Sequence, residues 1–300
     1  MPSFFRKVIK KKNKSTNDSG SQQPQSENEK DSSVNPLQYI VGSGQSVGKL
    51  RDHNEDTLFS FTSLLSDGRS EELFGLFVIA DGMGGHRNGE IASSVSVRVV
   101  VRYVLDQLYK VLLDPQRATP AVGIQEILIG AVNEAQKAVL QFAPGGGTTL
   151  TIALLLGEQL TISHIGDSRA YFVFPDGSLQ QITKDHSLVQ RLVDLKEITE
   201  EEANYHPQRN VLLKALGQPE PFNADIKTLQ IPGGARLLLC SDGLWGVVPQ
   251  DNLQRILQNE VTPITACKLL VEEANKNGGP DNISVIVVGI SGNTGASSNS

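Results

Sequence analysis

The sequence predicts an α+β protein in which strands and helices form layers instead of alternating one for one. Apolar runs of strand length occur at 74–80, 149–156, 160–164, 170–174, 236–240 and 283–290. Helical periodicity is clearest at 90–113, 124–142, 252–257 and 264–275. The strands come in groups with long helices between the groups, which favours a layered α+β arrangement over a doubly wound parallel sheet.

The chain is predicted to hold one folded domain between two polar ends. Residues 1–37 form a disordered basic and polar arm, 38–291 the domain, and 292–300 a disordered tail, because the ends offer little to bury. Within 1–14, four apolar residues would share one face of a helix beside six basic residues, an arrangement able to lie on an anionic membrane. A solubilising arm is the favoured interpretation, since a helix this short is marginal alone.

Composition limits the function classes. The net charge is -6, with the arm basic and the body acidic, so broad nucleic-acid binding is disfavoured. Two cysteines, Cys240 and Cys267, provide neither a disulfide framework nor zinc spacing, and they suit a reducing cytoplasm. No apolar run has the length of a membrane span, and no secretory signal is evident. We therefore expect a cytoplasmic protein.

The stretch GSGQSVGKLRDHNED, residues 42–56, resembles a phosphate-binding P-loop without matching it. In the template G-x-x-x-x-G-K-[ST] counted from Gly42, the second glycine falls on Val47 and the magnesium-binding hydroxyl on Leu50. We therefore interpret these glycines as the lead-in to a first strand.

Four aspartates occupy the ends of apolar runs, each with glycine or asparagine beside it: Asp56, Asp81, Asp242 and Asp281. A single Asp-Gly is most often a plain turn. Four together, at the ends of neighbouring strands, would bring several carboxylates to one edge, where only cations could offset their repulsion. All-oxygen ligands favour Mg²⁺ or Mn²⁺ over Zn²⁺.

Two neighbours of Asp56 have separate predicted roles. Glu55 would point to the opposite face of an extended chain and would act through water instead of binding directly. Arg51 could reach over the metal edge and present a planar fork of donors to phosphate oxygens.

The motifs resemble those of the metal-dependent protein phosphatases of the protein phosphatase 2C type, over about 38–290 and in the family's order. They are RDHNED, VIADGMGGHRNGEIAS, GGGTTLTIALL, HIGDSRAYFV, QITKDHSLVQRLV, ITEEEANYHPQRNVLLKALG, LLLCSDGLWGVV and GGPDNISVIVV. The DGMGGH form is similar to the bacterial branch. The resemblance implies a four-layer αββα sandwich, two antiparallel sheets flanked by helix pairs.

The resemblance also implies hydrolysis of phosphoserine and phosphothreonine on proteins by a metal-activated water, without a covalent intermediate. The four aspartates and the carbonyl of Gly82 would hold two Mn²⁺ or Mg²⁺ ions, Asp167 would help hold a weaker third ion, and Arg51 would bind the substrate phosphate. Residues 191–206 correspond to a mobile flap. The substrates would be targets of a serine/threonine kinase, with the kinase itself a candidate, and the protein would be a monomer.

The sequence departs from the family at several positions. Met83 stands where animal relatives carry a histidine proposed as the general acid, so the acid stays unassigned, with His86 one candidate. Lys196 replaces a common flap glycine. A cysteine-phosphatase route fails because neither cysteine begins C-x5-R, and no D-x-D supports a phosphoaspartyl route. A phosphoprotein reader and a switch enzyme acting on one partner are the alternatives to a general phosphatase.

Overall fold

The structure is a computed structural model that describes residues 38–66, 71–84, 87–114, 122–219, 223–260 and 262–291. The predicted arm, the predicted tail and His86 lie outside these residues.

Two antiparallel sheets form the centre of the molecule, with strand orders β1-β11-β10-β7-β8 and β2-β3-β5-β6-β9, and β4 paired to β3. The strands are β1 (Gln38–Ser46), β2 (Asp56–Ser66), β3 (Glu71–Met83), β4 (Gly147–Thr148), β5 (Leu150–Leu156), β6 (Gln159–Ile165), β7 (Arg169–Val173), β8 (Leu179–Gln181), β9 (Asp225–Gln230), β10 (Arg236–Cys240) and β11 (Ile283–Ser291). The helices are α1 (Arg87–Val104), α2 (Lys110–Leu112), α3 (Ile124–Phe142), α4 (Leu188–Asp194), α5 (Glu200–Tyr205), α6 (Asp242–Trp245), α7 (Gln250–Asn259) and α8 (Pro263–Lys276). A π-helical turn, Leu105–Tyr109, joins α1 to α2.

The long apolar runs are strands buried on both faces. Along β3, Leu76 and Val78 face the core beneath the helices, whereas Phe77 and Ile79 face the core between the two sheets. This alternation follows from the two-residue period of a strand. A strand covered on both sides reads as continuously apolar.

Helices cover the outer face of each sheet. α1 and α3 pack on β3 and β5, while α7 and α8 close a second core against β10 and β11. The result is helix, sheet, sheet, helix, so the predicted α+β sandwich is confirmed, with its antiparallel sheets and flanking helix pairs.

Gly42 and Gly44 of the P-loop-like stretch lie inside β1, which corrects the expectation that these glycines lead into a first strand, whereas Gly48 follows β1. A Cβ on Gly42 would lie 2.2 Å from the carbonyl oxygen of Pro263, and one on Gly44 would lie 3.1 Å from the Val271 side chain. Both contacts are with α8. Glycine therefore lets this helix approach the sheet, and no phosphate cradle is needed to explain it.

Both cysteines are core residues. Cys240 in β10 and Cys267 in α8 are buried free thiols in the same apolar cluster. Burial raises the pKa of each thiol to about 12, so neither is a ready nucleophile. Across the described ranges, no helix has the length and apolar character needed to cross a membrane.

Candidate metal centre

The register of β2 against β3 brings the first two aspartates together. Asp56, the first residue of β2, pairs directly with Asp81 near the end of β3. The backbone of Asp81 is fixed by Thr149, whose side-chain oxygen accepts from the Asp81 N–H at 2.9 Å and whose N–H donates to the Asp81 carbonyl at 2.9 Å. Two carboxylates separated by 25 positions therefore meet across one strand pair.

Gly82 allows α1 to begin directly against this strand pair. A Cβ at Gly82 would lie 2.2 Å from the carbonyl oxygen of Gly89 and 2.6 Å from that of Glu55. The Gly82 N–H donates to the same Glu55 oxygen at 3.2 Å. The Glu55 side chain turns toward His53, with Nε2 and Oε1 3.0 Å apart. No larger residue fits at Gly82 without displacing backbone.

The other two aspartates come from the second sheet. Asp242 follows β10 and begins α6, and Asp281 precedes β11. Asn282 ties this end of the sheet to the first: its side-chain oxygen accepts from the Glu55 N–H at 2.7 Å, and its amide donates to the carbonyl of His53 at 2.9 Å. The Asn282 side chain thus holds two distant segments in register at the edge of the sandwich.

These strand ends surround one cavity of about 230 Å³. Most of its lining is polar, and it comprises Arg51, Glu55, Asp81, Gly82, Met83, Gly84, Thr149, Asp167, Asn210, Leu212, Asp242, Asp281 and Asn282. Asp56 is buried beneath it, beside Asp81. The structure thus places around one cavity the residues predicted to hold the ions and the phosphate, with Asp56 beside it; His86 lies outside the described residues.

The carboxylates repel one another in a partly dry environment. Burial raises the pKa of Asp56 to about 7, and the charges of Asp242 and Asp281 add to the rise. Burial likewise raises the pKa of Asp242 to about 6, with the Asp281 charge as the next contribution. The pKa values of Asp81 and Asp167 are raised well above the ordinary range by burial and by neighbouring aspartates.

Two buried carboxylate oxygens favour a cation at this point. Among the described residues, Asp56 Oδ1 and Asp242 Oδ1 have no hydrogen-bond partner, whereas Asp56 Oδ2 accepts from the Ser241 hydroxyl at 2.8 Å. Buried oxygens are rarely left unsatisfied. A hard divalent ion fits this oxygen-only donor set.

The ligand set is not drawn together in advance. Within the described part of the chain, no three His, Cys, Asp or Glu side chains are grouped closely enough to hold one ion.

Arg51 lines the cavity but bonds to a carboxylate. Its Nη2 lies 2.7 Å from Asp281 Oδ2, and half of the Arg51 side chain is exposed. The hydrogen bond to Asp281 raises the pKa of Arg51. The guanidinium therefore stands at the mouth of the cavity, where it could turn from the carboxylate to an incoming anion.

Asp167 lies on the loop between β6 and β7 and is buried at the cavity wall. Its carbonyl accepts from the indole N–H of Trp245 at 3.0 Å, and the Arg169 guanidinium carbon lies 3.5 Å from the centre of the Trp245 ring. Trp245 therefore packs within the protein.

Sequence reasoning missed several residues of the site. Thr149 and Ser241 fix the backbone and side chain of the aspartates, and Asn210 and Leu212 reach the cavity from the segment after α5. Isolated polar residues of this kind carry no spacing signal.

Met83 lines the cavity as well and offers no proton to a leaving group.

His164 is a buried histidine with a partner at each ring nitrogen. Its Nδ1 lies 2.9 Å from the Thr151 hydroxyl, and its Nε2 lies 3.2 Å from the Lys184 carbonyl oxygen. Burial lowers the pKa of His164 to about 3, so the ring is neutral.

Comparisons with known proteins agree with this geometry. A family model described as "Protein phosphatase 2C" matches residues 51–271. The serine/threonine phosphatase stp of Listeria monocytogenes serovar 1/2a is 35% identical over 247 residues, 80% of this chain and 92% of the relative. The crystal structure of the Mycobacterium tuberculosis serine/threonine phosphatase PstP/Ppp superposes with a TM-score of 0.69 at 34% identity, covering 84% of this chain and 98% of that one.

A second structure similar to this chain contains metal. The catalytic domain of the serine/threonine protein phosphatase PstP, solved in complex with two manganese ions, superposes with a TM-score of 0.68 at 32% identity. It covers 85% of this chain and 99% of the solved chain.

Proposed function

This chain belongs to the protein phosphatase 2C family and is a metal-dependent serine/threonine protein phosphatase, and from that premise we propose which of its residues perform the reaction. The observation that carries the assignment is the convergence of aspartates from four separate segments on one cavity, with two buried oxygens left without partners.

Asp56, Asp81, Asp242 and Asp281, with the carbonyl of Gly82, hold a pair of Mn²⁺ or Mg²⁺ ions. The oxygen-only donor set and the two manganese ions of the PstP catalytic domain support this assignment. Bound ions would supply Lewis-acid charge and lower the pKa of the attacking water, so that no covalent intermediate is needed. Asp167 helps to hold a weaker third ion, and Glu55 acts from behind the ligands through water.

Arg51 binds the substrate phosphate. Its side chain is half exposed at the mouth of the cavity, and its fork of donors matches two phosphate oxygens. On substrate entry, Arg51 would leave the Asp281 carboxylate and bind the phosphate instead. The Asp281 carboxylate would then be free to bind an ion. The cavity of about 230 Å³ has room for a phosphate and the start of the side chain that carries it. Phosphoproteins are the substrates, in keeping with the family to which the chain belongs.

The proposal extends to the bounds of the catalytic domain, the oligomeric state, the location and the substrates. We take residues 38–291 as the catalytic domain, with the arm 1–37 outside it. We propose that the protein acts as a monomer. Two unpaired, buried thiols support a cytoplasmic location. The substrates there would be the targets of a serine/threonine kinase, and the kinase itself is a candidate substrate.

A phosphopeptide assay tests the assignment. We expect phosphate release in Mn²⁺ that stops with chelator and that falls more than about a hundredfold in Asp81→Asn. Asp176→Asn, which changes an exposed turn aspartate bonded to Ser178, is the matched control and should keep full activity. Tight phosphopeptide binding without phosphate release would instead identify a phosphoprotein reader.

A further inference from the structure

The loop that carries Asp167 is bracketed by His186. The Gly166 N–H donates to His186 Nδ1 at 3.1 Å, and the His186 N–H donates to the Gly166 carbonyl at 2.7 Å. Gly166 has φ of 106°, a conformation that disfavours any side chain, and a Cβ there would lie 2.6 Å from Thr149. The backbone immediately before Asp167 is therefore held by one buried histidine.

His186 also forms the base of the segment that lies beside the cavity. Its carbonyl accepts from the Leu213 N–H at 2.7 Å, and the next residue, Ser187, pairs with Leu212 in an isolated bridge. Ser187 caps α4 by accepting from the Gln190 N–H. The segment 187–212 therefore begins at the residue after His186 and ends at the residue before Leu213, which bonds to His186.

The tautomer of His186 follows from its donors. Because the Gly166 N–H points at Nδ1, this nitrogen is an acceptor and the ring proton is on Nε2. Nε2 lies 3.2 Å from Asp225 Oδ2, without hydrogen-bond geometry to any described residue. The ring stacks on His164, with centroids 5.0 Å apart. The orientation of the ring is thus set by packing and by the Gly166 amide.

A second set of contacts fixes the other side of the loop. Asp185 binds Arg169 through both carboxylate oxygens, with Nη2 2.7 Å and Nε 3.0 Å from them. Arg169 supports the Trp245 ring, whose N–H donates to the Asp167 carbonyl. Asp185 and His186 are consecutive and both buried, so one dipeptide reaches both sides of the Asp167 loop.

We propose that His186 is a positioning residue: it holds the Asp167 loop against the base of the 187–212 segment and so sets the affinity of the Asp167-dependent ion. The inference deepens the proposed function and rests on Asp167 being a ligand. Hydrogen-bonded residues behind a ligand typically alter metal affinity by about 10–100-fold.

Direct Mn²⁺ binding, followed by electron paramagnetic resonance of the free ion, tests the proposal on the full chain. His186→Leu keeps much of the bulk but removes the acceptor, and it should weaken the weakest Mn²⁺ class about tenfold while leaving the tighter ions unchanged. His186→Asn places an oxygen near the Nδ1 position and should recover most of that loss. Wild-type affinity in His186→Leu would overturn the proposal.

Hydrogen exchange of the metal-free protein gives a readout that needs no ion. The Gly166 amide should exchange at least about tenfold faster in His186→Leu than in wild type, because its acceptor is gone. His206→Leu is the matched control: His206 Nδ1 accepts from the Gln208 N–H in a local turn, so Gly166 exchange and Mn²⁺ binding should not change. Unchanged Gly166 exchange in His186→Leu would contradict the claim that the His186 ring holds the Gly166 backbone.

Asp167→Asn separates the ligand role of Asp167 from the positioning role of His186. If it removes the weakest Mn²⁺ class and His186→Leu does not affect that class, the positioning role fails while the ligand assignment stands. If Asp167→Asn leaves all Mn²⁺ classes unchanged, the ligand assignment fails, and with it the effect of His186 on affinity. Gly166 exchange still decides whether His186 holds the loop in that case.

Discussion

Replacing Asp242 with asparagine should stabilise the metal-free protein at pH 8 and remove its stabilisation by Mn²⁺. Burial and the neighbouring Asp281 charge raise the pKa of Asp242 to about 6. The charged carboxylate is therefore a cost to the folded state until a cation offsets it. Asparagine removes the charge but keeps the shape.

The magnitude follows from that pKa. Raising it from 3.8 to about 6 costs the charged form about 3 kcal/mol. Asp242 Oδ1 is buried but the residue as a whole is partly exposed, so water screens a share of this cost. We expect a gain of about 1–2 kcal/mol in the metal-free free energy of unfolding, or about 2–8 °C in Tm.

The effect should depend on pH in a fixed direction. Between the ordinary pKa of an aspartate and about 6, the folded wild type binds more protons than the unfolded chain, so its stability falls as pH rises through this window. Asparagine does not titrate. The gain from Asp242→Asn should therefore be near zero at pH 4 and complete above pH 7.

Thermal unfolding in chelator at pH 4–8, repeated in Mn²⁺, measures these effects. Asp185→Asn is the contrasting control, because Asp185 is a buried carboxylate paired with Arg169. Its loss leaves a cation unpaired and should destabilise the protein by about 3–5 kcal/mol with or without metal. A lower metal-free Tm in Asp242→Asn at pH 8, or a gain independent of pH, would refute the reasoning.

Two further changes test separate parts of the molecule. Arg51→Ala should lower kcat/KM on a phosphopeptide by about 10–100-fold, mainly through KM, because a charge-assisted pair to phosphate is lost. Lys49→Ala changes an exposed neighbour outside the cavity lining and should have little effect. Unaltered kinetic constants in Arg51→Ala would exclude the phosphate role. Lys196→Gly should stabilise the end of α4 by about 0.5–1 kcal/mol, since Lys196 has φ of 60° and the N–H of Glu197 donates to the Leu192 carbonyl at 2.9 Å. The expected result is slower hydrogen exchange in α4. Faster exchange would count against strain at this position.

The buried strands could be predicted from sequence, and the half-exposed ones could not. β3 and β10 are apolar throughout because both faces are covered. β2 and β9 alternate with exposed polar residues, and β1 carries two glycines, so their patterns are too weak to separate from loops. Edge and one-sided strands owe their structure to pairing partners that are distant in sequence.

The site divides in the same way. Asp81, Asp242 and Asp281 could be found because each lies at the end of a strongly apolar strand, a signal local to the chain. The pairing of Arg51 with Asp281 and the bracketing of Gly166 by His186 join residues 230 and 20 positions apart through single atoms. Such contacts depend on the folded geometry, and no spacing in the sequence encodes them.

The central claim is that cations compensate carboxylates brought together from four segments, and anomalous diffraction at the manganese edge tests it most directly. Crystals grown in Mn²⁺ should show two strong peaks, each about 2.0–2.3 Å from oxygens of Asp56, Asp81, Asp242 or Asp281. Density for manganese elsewhere on the surface, with none among these four aspartates, would contradict the account.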